Sequence, residues 1–239
     1  RNGFGSNAGN GCPPPPRPSI RSTEEILMAK GLLVAAFDFS TANAGEFHDW
    51  YDHEHIPERQ RVPGFGACER WIGVEGPAIS VATYDLDSIE VLRSAPYKAI
   101  AYENLSPWSK RVTAMCKRLL RFEGSQTLPG NATAPGNGAG GFLLNAMNVA
   151  PEAEADFNKW YDEEHIPALA AVPGTLLARR FKAAGQGTTR YVAAYHLVSP
   201  DVTKTAAWAK AVDTPWSARV RPHFRDRVRI LAKKYARAG

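Results

Sequence analysis

Cysteine is scarce in this sequence, with three residues among 239, namely Cys12, Cys68 and Cys116. They lie far apart and in no Cys-x-x-Cys spacing, so the sequence offers neither a disulfide framework nor a zinc knot, and we expect reduced thiols. No apolar run approaches the roughly 18 residues that a membrane-spanning helix needs, and no apolar leader segment is present. We therefore expect a cytoplasmic protein with no membrane partner.

Several nucleotide-binding and catalytic motifs are also missing. No GxGxxG follows a predicted strand, and neither a GxxxxGK[ST] loop nor a GxSxG elbow occurs, which leaves nucleotide binding and serine hydrolysis without support. The formal net charge is +5, and basic residues crowd the C-terminal stretch. Because no aromatic residues interleave with them for base stacking, we interpret this run as a solvated face and predict no nucleic-acid partner.

The remaining composition is that of a folded protein, with 44% hydrophobic and 22% charged residues. Two low-complexity stretches interrupt it. Residues 1–27 contain four consecutive prolines and predict a disordered tail, whereas residues 125–140, rich in Gly, Pro and Asn, predict a flexible linker. We therefore expect two folded units, at residues 28–124 and 141–239.

The two units repeat one another. EFHDWYDHEHIPERQRVPG at 46–64 aligns with DFNKWYDEEHIPALAAVPG at 156–174 at a constant offset of 110, and a PWS-x-RV motif recurs at Pro107 and Pro215. Collinear matches of this length indicate a tandem duplication.

Each unit predicts the element order βαββαβ. An apolar strand (31–40, 141–150) precedes an amphipathic helix with apolar residues at a 3.6-residue period, and Pro57 is expected to end that helix. Two strands (65–72 and 79–86, 175–181 and 190–197), a second helix (88–102, 201–212) and a last strand (118–124, 227–233) follow. Such a ferredoxin-like unit forms an antiparallel sheet with both helices on one face. Packing the two sheets together gives an α+β fold, an intramolecular pseudo-dimeric α+β barrel.

The first helix of each unit carries a candidate acid/base site. Side chains four residues apart share a helix face, which groups Tyr51 with His55, Trp50 with Glu54, Tyr161 with His165 and Trp160 with Glu164. Imidazole suits proton transfer at neutral pH, and a phenol or carboxylate can orient it. The alternative is structural: the aromatic residues fill the core, and each histidine bonds a backbone carbonyl near the helix end.

A metal site has weaker support. His48, Asp52 and His55 could converge on one helix face, but the second unit has Asn158 where the first has His48. No HExxH or Cys/His signature appears, and we predict no metal.

The two units differ at two strand positions. Asn145 replaces Ala35, and His196 replaces Asp85. Polar groups in apolar strands require partners, and a pocket with a ligand can supply them, so we predict that Asn145 and His196 bind substrate. Alternatively, they bond each other or solvent at a sheet edge.

The F-x-x-W-Y-x-x-E-H-I-P helix followed by V-P-G resembles the EthD-like group of the dimeric α+β barrel (ferredoxin-like) superfamily. The resemblance implies cofactor-independent lyases, isomerases, cyclases, decarboxylases or monooxygenases that act on aromatic or polyketide-like molecules, beside haem-using branches. It also implies that His55 and His165 are catalytic candidates in a pocket between helix and sheet.

The favoured hypothesis is a cofactor-independent lyase or isomerase in which His165 or His55 moves a proton on a small apolar, aromatic or polyketide-like substrate. Helper residues are predicted in both units: Tyr51 and Tyr161 to orient or relay, Glu54 and Glu164 to tune the imidazole, Trp50 and Trp160 to wall the pocket, and Arg70 and Arg180 to hold a carboxylate or phenolate. The chain could also form homo-oligomers. The alternatives are a non-catalytic small-molecule-binding or assembly module and a haem-using barrel.

Overall fold

The computed structural model describes residues 29–76, 78–184 and 187–237, so the predicted tail at 1–27 lies outside the described residues. Within the described ranges, no helix is long and apolar enough to cross a membrane.

The strands form one closed antiparallel barrel. They are β1 (Gly31–Asp38), β2 (Phe65–Gly73), β3 (Ile79–Leu86), β4 (Lys117–Leu128), β5 (Gly141–Val149), β6 (Thr175–Ala183), β7 (Tyr191–Leu197) and β8 (Phe224–Lys234). Around the barrel their order is β1-β3-β2-β8-β5-β7-β6-β4. Each half contributes four neighbouring strands, and the halves meet at two seams, β2 with β8 and β4 with β6. The predicted pseudo-dimeric α+β barrel is confirmed.

Helices cover the outer face of each half. They are α1 (Ala44–Trp50), α2 (Ile56–Gln60), α3 (Ala95–Lys98), α4 (Pro107–Ala114), α5 (Glu154–Trp160), α6 (Ile166–Ala170), α7 (Ala206–Val212) and α8 (Pro215–Val220). The single helix predicted at 88–102 is instead a 3₁₀ turn, Ile89–Arg93, followed by α3. Helices α4 and α8 were not predicted, although each begins with a proline after a hydroxyl residue that caps it.

A π-helical turn joins α1 to α2 at Tyr51–His55, and the same turn recurs at Tyr161–His165. In it the Ile56 N–H donates to the Tyr51 carbonyl, one residue further back than in an α-helix. Pro57 follows directly, and its ring would clash with the preceding turn of a regular helix. We attribute the wider turn to this proline. The helical chain thus continues past Pro57 to Gln60, beyond its predicted end.

The barrel interior is mostly apolar. Alternate strand positions fill it with side chains such as Leu32, Val34, Val81, Phe142, Leu144 and Val192. The opposite positions face the helices and form a separate core in each half. Whether a strand side chain reaches the barrel interior or the helix layer therefore depends on its position in the alternation along the strand.

Two polar pairs lie inside the barrel and join the halves. Arg179 Nη1 lies 2.9 Å from both carboxylate oxygens of Asp85, and His196 Nε2 lies 2.9 Å from Glu69 Oε2. Strand register makes Asp85 equivalent to His196 and Glu69 equivalent to Arg179. The repeat therefore produced two equivalent pairs of reversed polarity, and each pair crosses from one half to the other.

The segment between the halves is fixed to the barrel. Strand β4 extends through Leu128, into the predicted linker at 125–140. Beyond it, the Gln126 side chain donates to the Ala132 carbonyl at 2.7 Å and accepts from its N–H at 3.0 Å. Ala134 N donates to Asp85 Oδ2 at 2.6 Å, so this segment lies against one of the interior pairs.

Candidate functional site

Each half contains a pocket between its sheet and its helices. The pocket beside His55, here the N-pocket, has a volume of about 460 Å³, and the pocket beside His165, here the C-pocket, about 500 Å³. Strand β1 and helix α1 form walls of the first, and β5 and α5 form the same walls of the second. The duplication has therefore produced two equivalent chambers, each with the predicted histidine in its lining.

Both histidines are held against tryptophan rings. The ring centroids of Trp160 and His165 are 4.1 Å apart and stacked, and those of Trp50 and His55 are 4.4 Å apart. In both imidazoles Nδ1 is buried and has no hydrogen-bond partner among the described residues. The backbone-carbonyl bond of the structural alternative is thus not made by Nδ1. Trp50 and Trp160 line the pockets, as predicted.

The electrostatic surroundings keep both imidazoles neutral. Burial, followed by the positive charges of Arg221 and Arg227, lowers the pKa of His165 to about 3. Burial, followed by Arg59 and then other arginines, lowers the pKa of His55 well below its usual value. At neutral pH each ring is therefore an uncharged base and not an acid.

The two glutamates bond elsewhere. Glu54 Oε1 accepts from the Ser106 and Ser109 hydroxyls at 2.5 and 3.1 Å. Glu164 Oε1 accepts from Thr214 Oγ1 at 2.6 Å and from Trp160 Nε1 at 3.1 Å. These carboxylates therefore tie the first turns of α4 and α8 to the π turns that follow α1 and α5. The structure places neither in a hydrogen bond to the imidazole that it was predicted to tune.

The tyrosines of the first helix are wholly enclosed. Burial raises the pKa of both Tyr51 and Tyr161 to about 12, so their phenols stay protonated at neutral pH and can orient a partner by hydrogen bonding but cannot act as a base. Tyr161 lines the C-pocket. Tyr51 instead packs under the guanidinium of Arg70, 4.2 Å from ring centroid to Cζ.

Arg70 and Arg180 point to the helix layer but are occupied by helix side chains. Arg70 Nη1 donates to Asp52 at 2.9 Å, and its Nη2 lies 2.9 Å from His48 Nδ1. Arg180 makes the equivalent bonds, to Asp162 at 2.7 Å and to Asn158 Oδ1 at 2.6 Å. Neither arginine lines the N-pocket or the C-pocket, so the structure does not place them where the predicted substrate carboxylate would bind.

The metal site considered at His48, Asp52 and His55 is not formed, because the Arg70 side chain bonds both His48 and Asp52. In the parts of the chain that the structure describes, no cluster of three His, Cys, Asp or Glu residues could hold a metal ion.

The cations that do line the pockets were missed. Arg59, Lys110, Arg118 and Arg121 line the N-pocket, and Arg221, Arg227 and Arg229 line the C-pocket. The sequence carries a signal for two of them, because Arg227 and Arg229 alternate with Val228 along β8, which is the pattern of a strand with one polar and one apolar face. Both arginines are also exposed, in agreement with the solvated face predicted for this basic run.

Asn145 and His196 do not share a site. Asn145 lines the C-pocket, as predicted, and its Oδ1 accepts from Arg227 Nη2 at 3.2 Å. His196 lies on the opposite face of the sheet, inside the barrel, where it is wholly buried against Glu69. Side chains alternate along β7, so Tyr195 faces the helices and His196 cannot. The prediction that both residues bind one substrate is therefore not met for His196, and they do not bond each other.

Comparisons with known proteins give structural relatives only. No family model and no curated protein matches the sequence. Among solved structures, an anthrone oxidase-like protein superposes with a TM-score of 0.58 at 12% identity, over 87% of this chain and 92% of that one. A mutant chlorite dismutase from Candidatus Nitrospira defluvii gives 0.55 at 11% over 89% and 95%. A proposed monooxygenase from Lactobacillus acidophilus NCFM gives 0.54 at 10% over 87% and 93%.

At these identities the matches establish the architecture. The chain has the dimeric α+β barrel fold, with both units of the barrel in one polypeptide.

Proposed function

We propose that this protein is a cofactor-independent, EthD-like lyase or isomerase that uses His55 or His165 as a base on a small apolar, aromatic or polyketide-like molecule. The observation that carries the proposal is the neutral, buried imidazole beside arginines in a pocket of 460–500 Å³, present in each half. A small-molecule substrate, no cofactor and homo-oligomer formation remain parts of this proposal.

The chemistry that this arrangement favours is proton abstraction from carbon next to a carbonyl. The imidazole takes the proton, and the electron pair of the C–H bond moves onto the carbonyl oxygen as an enolate, whose charge the pocket arginines stabilise. Return of the proton to a different carbon completes an isomerisation, and loss of a leaving group from the adjacent carbon completes an elimination.

The same arginines link the two charges that form. Burial is the main cause of the lowered pKa of His165, and the positive charges of Arg221 and Arg227 add to it by disfavouring an imidazolium. An enolate beside them offsets that repulsion, so the imidazole becomes a stronger base as the substrate becomes an anion. The tryptophan beside each histidine excludes water from this exchange.

Hydrogen–deuterium exchange at an acidic C–H bond tests the proposal directly. A panel of aromatic and polyketide-like ketones, beginning with anthrone, is incubated with the protein in D₂O, and loss of the proton signal is followed by NMR. We expect faster exchange with the wild type and loss of the effect in His165→Ala, in His55→Ala or only in the double variant. His53→Ala, which removes an exposed histidine of the same helix, is the matched control. No acceleration across the panel, or full acceleration in the double variant, would contradict the proposal.

A non-catalytic binding module is the second candidate. The structural use of Glu54 and Glu164 favours it, because two predicted helpers of the imidazole serve instead to join helices. It predicts that panel members bind in the pockets without exchanging their protons.

A haem-using barrel has less support from the site itself. An axial histidine must present a ring nitrogen to a cavity wide enough for a porphyrin, whereas His165 is 7% exposed and stacked on Trp160. The surroundings of His165 therefore do not fit a haem. A Soret band in the purified protein would revive this candidate.

A further inference from the structure

Arg227 is the cation of the C-pocket that lacks an acidic partner. Arg221 is paired with Asp213 at 3.4 Å, and Arg229 with Glu75 at 3.0 Å. Arg227 makes no ion pair with any residue that the structure describes, and its side-chain hydrogen bond goes to the neutral Asn145.

Arg227 is exposed as a whole residue but lines the C-pocket without a counter-ion, so its partial desolvation there is not compensated. Arginine keeps its charge under all ordinary conditions, and removing that charge from water costs free energy unless an anion compensates. Burial accordingly lowers the pKa of Arg227. A bound ligand that brings a negative charge into the C-pocket would remove this cost.

Asn145 is oriented to assist such a ligand. Its Oδ1 accepts from Arg227, so its Nδ2 is left with two donor protons, and this nitrogen makes no hydrogen bond to the described part of the chain. The guanidinium and the amide together form an array of donors with no acceptor left over, which is the pattern that recognises a carboxylate or a phenolate.

The N-terminal half lacks this arginine–amide pair, although Lys110 and Arg118 also line the N-pocket. Ala35 stands at the position of Asn145. Strand register makes Leu119 the equivalent of Arg227, because both lie at the bulge where the last strand of each half shifts its pairing with the first strand. The two positions that hydrogen-bond to each other in one half are thus both apolar in the other. Conversion of both positions points to a shared task of the C-pocket.

We propose that Arg227 and Asn145 form an anion-binding site in the C-pocket, which holds the carboxylate or phenolate of an aromatic ligand. The N-pocket has cations in its lining but Ala35 in place of the amide, so it lacks this paired site. The proposal deepens the proposed function by naming the class of its substrate, and it concerns binding rather than proton transfer.

The experiment compares two probes of nearly equal shape, 1-naphthoate and 1-naphthamide, by quenching of tryptophan fluorescence in the full chain. Trp160 and Trp208 line the C-pocket and can report its occupancy. A charge-assisted hydrogen bond favours the carboxylate over its neutral analogue by about tenfold or more, and we expect that ratio in the wild type.

Variants assign this preference to residues. Arg227→Leu and Asn145→Ala introduce the residue types of the N-terminal half, and we expect the first to abolish the preference and the second to reduce it. Unchanged affinity for 1-naphthamide shows that the pocket is intact. Arg225→Leu, an exposed neighbour on β8, is the matched control and should retain the preference.

His165→Ala separates this proposal from the proposed function. It should abolish proton exchange in the C-pocket and leave the preference for 1-naphthoate in place. Equal affinity of the wild type for both probes, or an undiminished preference in Arg227→Leu, would overturn the anion site whatever the exchange experiment gives.

Discussion

His196 of the C-terminal half and Glu69 of the N-terminal half meet inside the barrel, with 2.9 Å between Nε2 and Oε2. Burial alone would raise the pKa of Glu69, but hydrogen bonds from His196 and Lys234 outweigh it and hold that pKa below its usual value. Burial lowers the pKa of His196. We infer that Glu69 is ionised and that its charge is balanced by Lys234. The carboxylate accepts a hydrogen bond from the N–H of a neutral His196.

The other interior pair should be costly to break on one side only. Arg179→Met leaves the Asp85 carboxylate buried without its cation, and we expect the free energy of unfolding in urea to fall by about 3–5 kcal/mol. The double variant Asp85→Leu/Arg179→Met removes both charges and should recover most of this loss. Arg190→Met, which breaks a half-exposed pair with Glu154, should change stability by less than about 1 kcal/mol. Equal losses in the single and double variants would argue against an ion pair that acts as a unit.

The free energy of unfolding should decrease as the pH is lowered below about 6.5, before the carboxylates titrate. Below about pH 6.5 the unfolded chain protonates the histidine at position 165, whereas the folded chain does not until its pKa of about 3. Protonation therefore favours the unfolded state, and the stability present above pH 6.5 is lost by about 1.4 kcal/mol per pH unit as the pH decreases through this window. His165→Gln should reduce that slope in urea unfolding curves recorded from pH 7 to 4. An unchanged slope would mean that the imidazole is already charged in the fold.

Glu164→Ala distinguishes a structural carboxylate from one that tunes the base. Thr214 and Trp160 would lose an acceptor, so we expect the free energy of unfolding to fall by about 1–3 kcal/mol. The pH profile of proton exchange in this variant should match that of the wild type, because the Glu164 carboxylate makes no hydrogen bond to the imidazole. A displaced pH profile would restore Glu164 to the role first predicted for it.

The seam between β4 and β6 leaves no room at Gly124. A Cβ atom there would lie 2.4 Å from Phe122 Cζ and 2.5 Å from the Lys182 carbonyl oxygen. Gly124→Ala should therefore force the halves apart locally and destabilise the protein by about 1–3 kcal/mol in urea unfolding. Gly187→Ala, which meets nothing within 4 Å, is the control. Equal stability of the two variants would show that the seam adapts without cost.

The repeat made the fold predictable. Because the same pattern occurs twice, the order of helices and strands could be predicted for both halves. Each predicted sheet had one face without helices, and packing these two faces together gives the barrel. Helices α4 and α8 escaped prediction because they have only eight and six residues and show little periodicity, so their capping signals at Ser106 and Thr214 were the sole evidence. The continuation of the first helix past Pro57 depends on a π turn, which the apolar pattern does not encode.

The candidate site was only partly predictable, because strand parity decides which layer a side chain enters. Bulges between Phe65 and Cys68 and between Thr175 and Leu177 interrupt the alternation in β2 and β6. Counting along the sequence could therefore not settle whether Arg70 faced a ligand, nor that His196 lies inside the barrel beside Glu69 and not in the C-pocket. The helix residues His55 and His165 reached their pockets as expected, although the π turn packs each ring against the tryptophan five residues before it.

The reversed polarity inside the barrel determines which halves can assemble. A barrel closed by two N-terminal halves would set Glu69 of each copy against Asp85 of the other, with carboxylates facing carboxylates. Two C-terminal halves would set Arg179 against His196, with only basic groups in contact. Each half thus supplies the charge that the other's interior needs and not the one that its own duplicate would need, which favours closure of the barrel within one chain over pairing of identical halves.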